Sequence, residues 1–316
     1  MFNEPLFLKP VFKERIWGGS KLEKFFDYTI PSSQTGECWG ISAHPHGITP
    51  ILNGPFQGCT LDEIWCKYKE LFAFKSGDHF PLLVKILDAN HDLSVQVHPN
   101  DLFAQKLENS PFGKTECWYV LDCESETEVI IGHHATTRDE FKQRVTLGEW
   151  EKLLRRIPIK PGDFFYVPSG TIHSIGKGAL MLEIQQNSDI TYRLYDYDRL
   201  DHTGVTRPLQ SEKSLLVTTI PDQTISPQPF ILEKGNLIEK RLITSPYFTV
   251  YHWTINGKVE QHHPHHYWLC TVIQGTGHIQ VNPDSYPLTK GDFFILPATI
   301  QHYHLEGNLE LICTHT

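Results

Sequence analysis

Four side chains along this chain are of types that bind divalent metal ions: Gln96, His98, Glu116 and His173. In the segment DLSVQVHPND, the alternation of a strand turns Ser94, Gln96 and His98 to one face and the apolar residues to the other. Glu116 stands at the head of the next strand, KTECWYVLD, and His173 follows a turn rich in glycine and proline. Two imidazole nitrogens, a carboxylate oxygen and an amide oxygen form a ligand set suited to zinc or another divalent first-row metal.

The turn before His173 occurs twice in the chain. KPGDFFYVPSGTIHSIG (residues 160–176) and TKGDFFILPATIQHYHLEG (residues 289–307) share GDFF, a proline, and a histidine five positions after that proline. Three landmarks are each 129 residues apart in the two copies: Gly162 with Gly291, Pro168 with Pro297, and His173 with His302. A constant offset of this kind indicates an internal duplication.

The second copy lacks the partners that would complete a metal site of the same kind. A histidine-rich stretch, QHHPHHYW, precedes it, but no acidic residue follows at the required spacing, and Thr299 stands where the first copy has Gly170. We therefore expect that the second copy has lost its metal site. The alternative is metal binding by His263, His265 and His302.

Short segments rich in β-branched and aromatic residues, separated by Gly, Pro, Asn and Asp, dominate the chain. PLLVKILDAN, CWYVLDC, LMLEIQQN and YWLCTVIQG are examples, and their spacing suits a β-sandwich or barrel. Helical periodicity is confined to three segments, residues 60–73, 100–110 and 136–157, with Thr60, Asn100 and Thr137 as the predicted N-caps.

A segment with three prolines and no periodicity, TTIPDQTISPQPF, is predicted to cross between two domains. We place the boundary near residue 220. Residues 1–220 would then form a metal-binding catalytic domain with helical insertions. Residues 221–316 would form a second domain, which we expect to lack a metal site.

Composition argues against several kinds of partner. The formal net charge is −9, and nucleic acid binding needs a basic face, so we expect no nucleic acid partner. The first residues lack a basic start followed by an apolar run, and no stretch of about 18 apolar residues occurs, so we expect a cytoplasmic protein without a membrane span. The seven cysteines include no Cys-x-x-Cys pair, which argues against a disulfide framework and a thiolate zinc site.

Several motifs together carry a resemblance to a known family. The pattern G-x5-P-x-G-x2-H, met here by Gly162, Pro168, Gly170 and His173, is the second cupin signature. LSVQVHPND followed by KTE resembles the zinc site of the type I mannose-6-phosphate isomerases, in their short bacterial form. RIWGG, GECWGISAHP, FPLLVKILDA and QNSDITYRLYD resemble segments of that family in the same order. The resemblance therefore covers at least residues 15–200.

The resemblance implies a fold, a reaction and a cofactor. The fold would be mainly β, with two cupin domains of jelly-roll or β-barrel type and a few inserted α-helices. The activity would be the interconversion of mannose 6-phosphate and fructose 6-phosphate, by zinc-assisted proton transfer through an enediol. One zinc ion (Zn2+) per chain would be held by Gln96, His98, Glu116 and His173.

Other roles would fall on charged and hydroxyl side chains. The family's active-site arginine matches Arg193, although RLYDYDR stands here where longer eukaryotic members have Gly-Leu-Thr-Pro after the arginine. Lys114 is predicted to be catalytic, because it comes two residues before Glu116. Lys85, whose charge in an apolar strand would be costly without a partner, and Ser94 are predicted to bind substrate. The general base stays open between four groups: Tyr192, Asp189, Lys114 and a zinc-bound hydroxide.

Two other kinds of function remain open. A dioxygenase or an iron-dependent sugar phosphate isomerase would also be a metal-dependent cupin enzyme, although Gln96 and the long spacing to Glu116 count against a dioxygenase site. A non-catalytic sugar-binding cupin is weakened by the lack of a helix-turn-helix segment or basic patch. The expected partner is a small-molecule sugar phosphate, and the expected state is a monomer or small homo-oligomer.

Overall fold

The computed structural model describes residues 3–75, 77–201, 203–223, 225–262 and 266–316. Strands make up most of its regular structure. They are β1 (Leu6–Phe7), β2 (Val11–Gly19), β3 (Thr35–Ile41), β4 (Leu82–Asp88), β5 (Val95–Val97), β6 (Glu116–Cys123), β7 (Glu128–His133), β8 (Leu154–Pro158), β9 (Phe164–Val167), β10 (His173–Ile175), β11 (Ala179–Gln186), β12 (Tyr192–Tyr195), β13 (Phe230–Lys234), β14 (Leu237–Thr244), β15 (Thr249–His262), β16 (Trp268–Val281), β17 (Asp284–Thr289), β18 (Phe293–Leu296) and β19 (His302–His315). The helices are α1 (Lys21–Phe26), α2 (Leu61–Lys67), α3 (Asp101–Glu108), α4 (Arg138–Thr146), α5 (Trp150–Leu153) and α6 (Ser211–Val217), with 3₁₀ turns at Gly54–Phe56 and Lys69–Phe72.

The chain divides into two compact units, neither continuous in sequence. One comprises residues 1–11, 39–83 and 227–316. Its eight-stranded antiparallel sheet has the order β1-β18-β16-β19-β15-β14-β13, and β17 pairs with β16. Long strands, with aromatic and aliphatic side chains turned inward, enclose a core that includes Trp253, Trp268 and Tyr303. The division of roles between residues 1–220 and 221–316 stays a prediction.

The other unit comprises residues 12–38 and 84–226. The five-stranded sheet β12-β5-β10-β7-β8 lies within it, and most of the six-stranded sheet β2-β3-β4-β11-β6-β9 belongs to it as well. Strand β11 is buried along its whole length, including its polar residues Glu183, Gln185 and Gln186. One core cluster of this unit contains Trp118 and Met181, and another contains Tyr192 and Phe141.

The duplication seen in the sequence recurs in the strands. Strands β9 and β18 occupy positions that are 129 residues apart, and strands β10 and β19 begin at His173 and His302, which have the same separation. The repeated GDFF-x2-P-x4-H motif is therefore a strand, a turn and the start of another strand in both copies.

The three predicted helix starts are confirmed, and one predicted helix end is wrong. Asn100 accepts a hydrogen bond from the Phe103 amide, Thr137 accepts one from the Glu140 amide, and Thr60 is the N-cap of α2. The predicted helix over 136–157 is instead two helices, α4 and the short α5, and it ends at Leu153 because residues 154–158 pair with β7 as strand β8. Helices α1 and α6 were not predicted. None of the described helices has the length and apolarity needed to span a bilayer.

Candidate metal centre

Three neighbouring strands of the five-stranded sheet bring predicted site residues into one row. Gln96 on β5 lies between two register partners. One is His173 on β10, and the other, on the opposite side, is Arg193 on β12. Directly opposed residues of antiparallel strands project from the same face of the sheet. Residues that are far apart in the sequence thus start from one line across the sheet. His98 comes directly after the end of β5, and Glu116 begins β6 of the six-stranded sheet.

The ligating atoms of His98, Glu116 and His173 all lie within 4.8 Å of one another. The two imidazole Nε2 atoms are 3.1 Å apart, and each is 3.5 Å from one carboxylate oxygen of Glu116. All three side chains are 1% exposed. Two ligand atoms each about 2.1 Å from one tetrahedral ion are separated by about 3.4 Å, so these spacings suit a first-row metal.

Backbone carbonyls orient both imidazole rings. Nδ1 of His98 donates to the Ile190 carbonyl at 2.8 Å, and Nδ1 of His173 donates to the Thr171 carbonyl at 2.9 Å. Because a carbonyl can only accept, each neutral ring keeps its lone pair on Nε2, the atom that faces the cluster. Burial and the charge of Lys114 lower the pKa of His98 to about 3, and burial also lowers the pKa of His173. Both rings are therefore neutral at neutral pH, as metal ligation requires.

The carboxylate of Glu116 also has the properties of a ligand. Burial alone would raise the pKa of Glu116, but the Lys114 ammonium and the imidazoles of His98 and His173 together outweigh burial and hold this pKa well below its ordinary value. Its Oε1 atom is buried and has no hydrogen-bond partner among the described residues. A buried, ionised oxygen of this kind is costly unless a cation or donor meets it. The donor set therefore fits a divalent cation.

Gln96 and Lys114 donate to the same cluster. The Gln96 amide nitrogen lies 3.3 Å from Nε2 of His173, and Lys114 Nζ lies 3.0 Å from Nε2 of His98 and 2.5 Å from Oε2 of Glu116. A half-turn of the Gln96 amide exchanges its nitrogen and oxygen, which would present an oxygen ligand. The structure thus brings all four predicted ligands and Lys114 together.

A residue that sequence reasoning missed links the two predicted lysines. Oε1 of Glu183 lies 3.0 Å from Lys85 Nζ and 3.4 Å from Lys114 Nζ, and its Oε2 accepts a hydrogen bond from Trp118. Lys85 also lies 3.9 Å from Glu37, which pairs with Arg15. The sequence does contain a signal for Glu183. An unpaired charge in a buried strand is costly, so Glu183 in ALMLEIQQ needs a partner, as Lys85 does in its own strand.

The remaining predicted residues lie in different surroundings. Ser94 is buried and its hydroxyl lies 3.4 Å from Oε1 of Gln96. The Arg193 guanidinium donates from NH1 to the Pro208 carbonyl at 3.1 Å. Tyr192 pairs in register with Val97, packs in the same core cluster and donates to Glu108 at 2.8 Å. Its hydroxyl is thus engaged away from the histidines. Asp189 is exposed.

The histidines of the second copy are only partly described. His302 is exposed and stacks on His262, its register partner, with ring centroids 4.2 Å apart. His263 and His265 lie outside the described residues. The alternative of metal binding by His263, His265 and His302 therefore stays a prediction.

Comparison with known proteins gives matches along nearly the whole chain. Residues 6–133 match the type I phosphomannose isomerase catalytic domain, and residues 238–316 match the mannose-6-phosphate isomerase cupin domain. A probable mannose-6-phosphate isomerase of Bacillus subtilis is 53% identical over 313 residues, which cover 99% of each chain. Another mannose-6-phosphate isomerase of that organism is 50% identical over 315 residues, all of both chains. A crystal structure of the mannose 6-phosphate isomerase from Bacillus subtilis superposes with a TM-score of 0.97 at 47% identity, covering 99% of each chain. The expected fold class, mainly β with cupin domains and a few helices, is confirmed.

Proposed function

Because this chain belongs to the type I mannose-6-phosphate isomerases and is therefore an aldose-ketose isomerase, we propose that its buried cluster at His98, Glu116 and His173 is the centre of that reaction. The substrates would be mannose 6-phosphate and fructose 6-phosphate, and the metal would be zinc, one ion per chain. The observation that carries this proposal is the spacing of the three buried ligands, with Gln96 as the fourth.

The reaction sets clear demands on these residues. Aldose-ketose isomerisation moves a proton between adjacent carbons through an enediol, so negative charge develops on two neighbouring sugar oxygens. When bound, zinc supplies a Lewis acid that polarises the carbonyl and hydroxyl oxygens of the sugar. The protein must add positive charge beside those oxygens and exclude water. Burial of the cluster to 1% exposure supports the second requirement.

Lys114 would supply the positive charge. Burial lowers the pKa of Lys114, but the carboxylates of Glu116 and Glu183 outweigh burial and raise this pKa above its ordinary value. Lys114 therefore stays protonated at neutral pH, as a cation and proton donor instead of the general base. Glu183 orients Lys114 and Lys85 together through one oxygen atom. We propose that Lys85 and Ser94 contact hydroxyl groups of the sugar.

Arg193 would bind an anionic part of the substrate. Its Nε atom is buried and has no hydrogen-bond acceptor among the described residues, while NH1 is held by Pro208. The planar fork of a guanidinium matches a phosphate or a vicinal diolate. Arg193 starts from the same row of the sheet as Gln96 and His173, so its position supports binding of either the phosphate or the enediolate.

The decisive experiment follows the sugar and the metal in one preparation. Purified protein is incubated with mannose 6-phosphate, and fructose 6-phosphate is measured before chelator treatment, after it, and after zinc, iron or manganese is added back. We expect turnover that is lost with the metal and restored by zinc. Isomerisation that persists at full rate in metal-free protein would contradict the proposal. Restoration by iron alone would favour an iron-dependent isomerase.

A further inference from the structure

A single residue, Gly170, joins two proposed metal ligands to a segment much later in the chain. The Gly170 amide donates to the His98 carbonyl at 2.9 Å, and the Gly170 carbonyl accepts from the Thr219 amide at 2.9 Å. Gly170 also lies three residues before His173, in the turn that delivers this histidine. The positions of both imidazoles therefore depend on what holds Gly170 in place.

The later segment, residues 217–222, is here called the crossover clamp. His133 anchors it: Nε2 of His133 donates to the Thr219 carbonyl at 3.0 Å, and its ring packs on Phe141 with centroids 4.8 Å apart. His133 is 3% exposed, so water does not compete for this bond. A continuous series of hydrogen bonds thus runs from His133 through Thr219 and Gly170 to His98.

Further contacts hold the crossover clamp against the same unit. Arg138 donates to the Thr218 carbonyl within the clamp at 3.3 Å and to the Leu215 carbonyl just before the clamp at 2.6 Å. Asp222 forms an ion pair with Arg155, whose Nε donates to the Ile131 carbonyl at 2.8 Å. The clamp is therefore attached at both ends, and its central residue meets the metal-site turn.

The contact between the clamp and the turn leaves no room for a side chain at position 170. Gly170 has a φ of +86°, and a Cβ atom there would lie 2.5 Å from Oγ1 of Thr219 and 3.1 Å from the Val217 carbonyl. Such close approach is the circumstance in which only glycine fits. It also means that a displacement of the clamp is transmitted directly to the turn.

We propose that His133 is a positioning residue for the metal centre, which acts through Thr219 and Gly170 on His98 and His173. The proposal rests on the metal site proposed above. The described contacts of His133 are to Thr219 and Phe141 and not to the proposed ligands, and its contribution is to fix the distance between the two imidazoles. Partners that orient metal ligands from outside the coordination sphere typically contribute about 10- to 100-fold in metal affinity.

The test compares two replacements of equal length. His133→Gln keeps an amide donor that can reach the Thr219 carbonyl, whereas His133→Met removes the donor and keeps the volume. The dissociation constant for zinc is measured by competition with a chromogenic chelator, alongside the melting temperature of the metal-free proteins. We expect His133→Met to bind zinc about 10-fold more weakly, and His133→Gln to keep the affinity of the parent. Equal zinc affinity of the parent and His133→Met would overturn the proposal.

A second pair of variants tests the same contact from the other side. Gly58 has a φ of +85°, but no neighbouring atom lies within 4 Å of the position that a Cβ would take there. Gly58→Ala is therefore the control: it has the backbone strain of Gly170→Ala but not the clash with Thr219. We expect Gly170→Ala alone to weaken zinc binding. Zinc binding by His98→Ala as tight as that of the parent would refute the metal site itself. A different result would refute only the role of His133. In that case the parent binds zinc tightly, His98→Ala loses zinc, and His133→Met and Gly170→Ala bind zinc as the parent does.

Discussion

The imidazoles of His98 and His173 turn their Nε2 atoms toward each other at 3.1 Å, and each ring donates its other nitrogen to a backbone carbonyl. The tautomer of each ring is thus set by the backbone, before any ligand binds. The proposed roles of ligation, positive charge and substrate binding fall on different side chains. Replacing one side chain at a time should therefore change one of these roles at a time.

Replacement of His98 by Ala should remove metal and activity together. The remaining ligands leave one face of the cluster without a donor, and we expect zinc affinity to fall by more than about 100-fold, beyond the effect of an outer partner. Bound metal per chain, measured by elemental analysis after gel filtration, checks this result. His262→Ala, at an exposed histidine of the other unit, serves as the control and should keep both metal and turnover. Full activity of metal-free His98→Ala would show that the cluster is not the catalytic centre.

Replacement of Lys114 by Met should separate metal binding from turnover. The Lys114 ammonium lies 3.0 Å from Nε2 of His98, so its removal takes away a positive charge that would repel a bound cation. We expect zinc affinity equal to or higher than that of the parent, with kcat lower by about 10²- to 10³-fold, as for the loss of one charge-stabilising donor. Isothermal titration and steady-state kinetics provide the two values. The exposed Lys106→Met is the matched control, and a loss of metal in Lys114→Met would contradict the assignment.

Replacement of Arg193 by Met should also leave the metal in place. Here we expect a rise in KM, a fall in kcat, or both, with a combined loss in kcat/KM of about 10²- to 10³-fold. Arg193→Lys should recover only part of this loss, because an ammonium lacks the planar fork. Arg193 could bind either the phosphate of the substrate or the enediolate, and the binding of inorganic phosphate distinguishes the two. Weakened phosphate binding in Arg193→Met indicates the phosphate, and unchanged binding indicates the enediolate.

The Asp196 carboxylate makes stability depend on pH in a defined direction. Burial raises the pKa of Asp196, but hydrogen bonds from Arg207 and Arg199 outweigh burial and lower this pKa below its ordinary value. A lowered folded-state pKa stabilises the protein above the unfolded-state value of about 3.9, and this contribution is lost as pH falls through the folded-state pKa.

Asp196→Asn should therefore be less stable than the parent at pH 7, by about 2 kcal/mol. The difference should shrink as the pH falls below about 4. Urea unfolding of both proteins at several pH values measures it. Asp284→Asn, at an exposed carboxylate, should show no comparable effect, and a constant difference for Asp196→Asn at every pH would refute the explanation.

Features encoded by nearby residues could be predicted from the sequence. The helix caps at Asn100 and Thr137 depend on bonds to residues three positions away, so local residue types suffice. The four proposed metal ligands could be placed because their residue types and motifs resemble those of a known family, and the structure brings them together. The duplication placed His173 at the end of a turn that can be seen in the letters alone.

Features that depend on distant backbone contacts could not be predicted. Residues 154–158 form a strand because β7 offers them hydrogen-bonding partners, although their own periodicity is helical. Helix α1 begins where the Lys21 amide donates to Asp88, which is 67 positions away. The role proposed for Thr219 depends on its backbone groups, so no residue type marks it. Glu183 is a different case. Its charge within a buried strand signals that it needs a partner, but which residues are its partners depends on how the strands are arranged.

The pairing of Gln96 with Arg193 has a consequence for changes in chain length. Strand β12 follows β11 after the short loop of residues 187–191, and a deletion of one residue there would shift Arg193 by one position against β5. Since neighbouring residues of a strand point to opposite faces, the shift would carry the guanidinium into the apolar core and bring Leu194 to the site. An insertion or deletion of a single residue in this loop should therefore impair the site more than a substitution there.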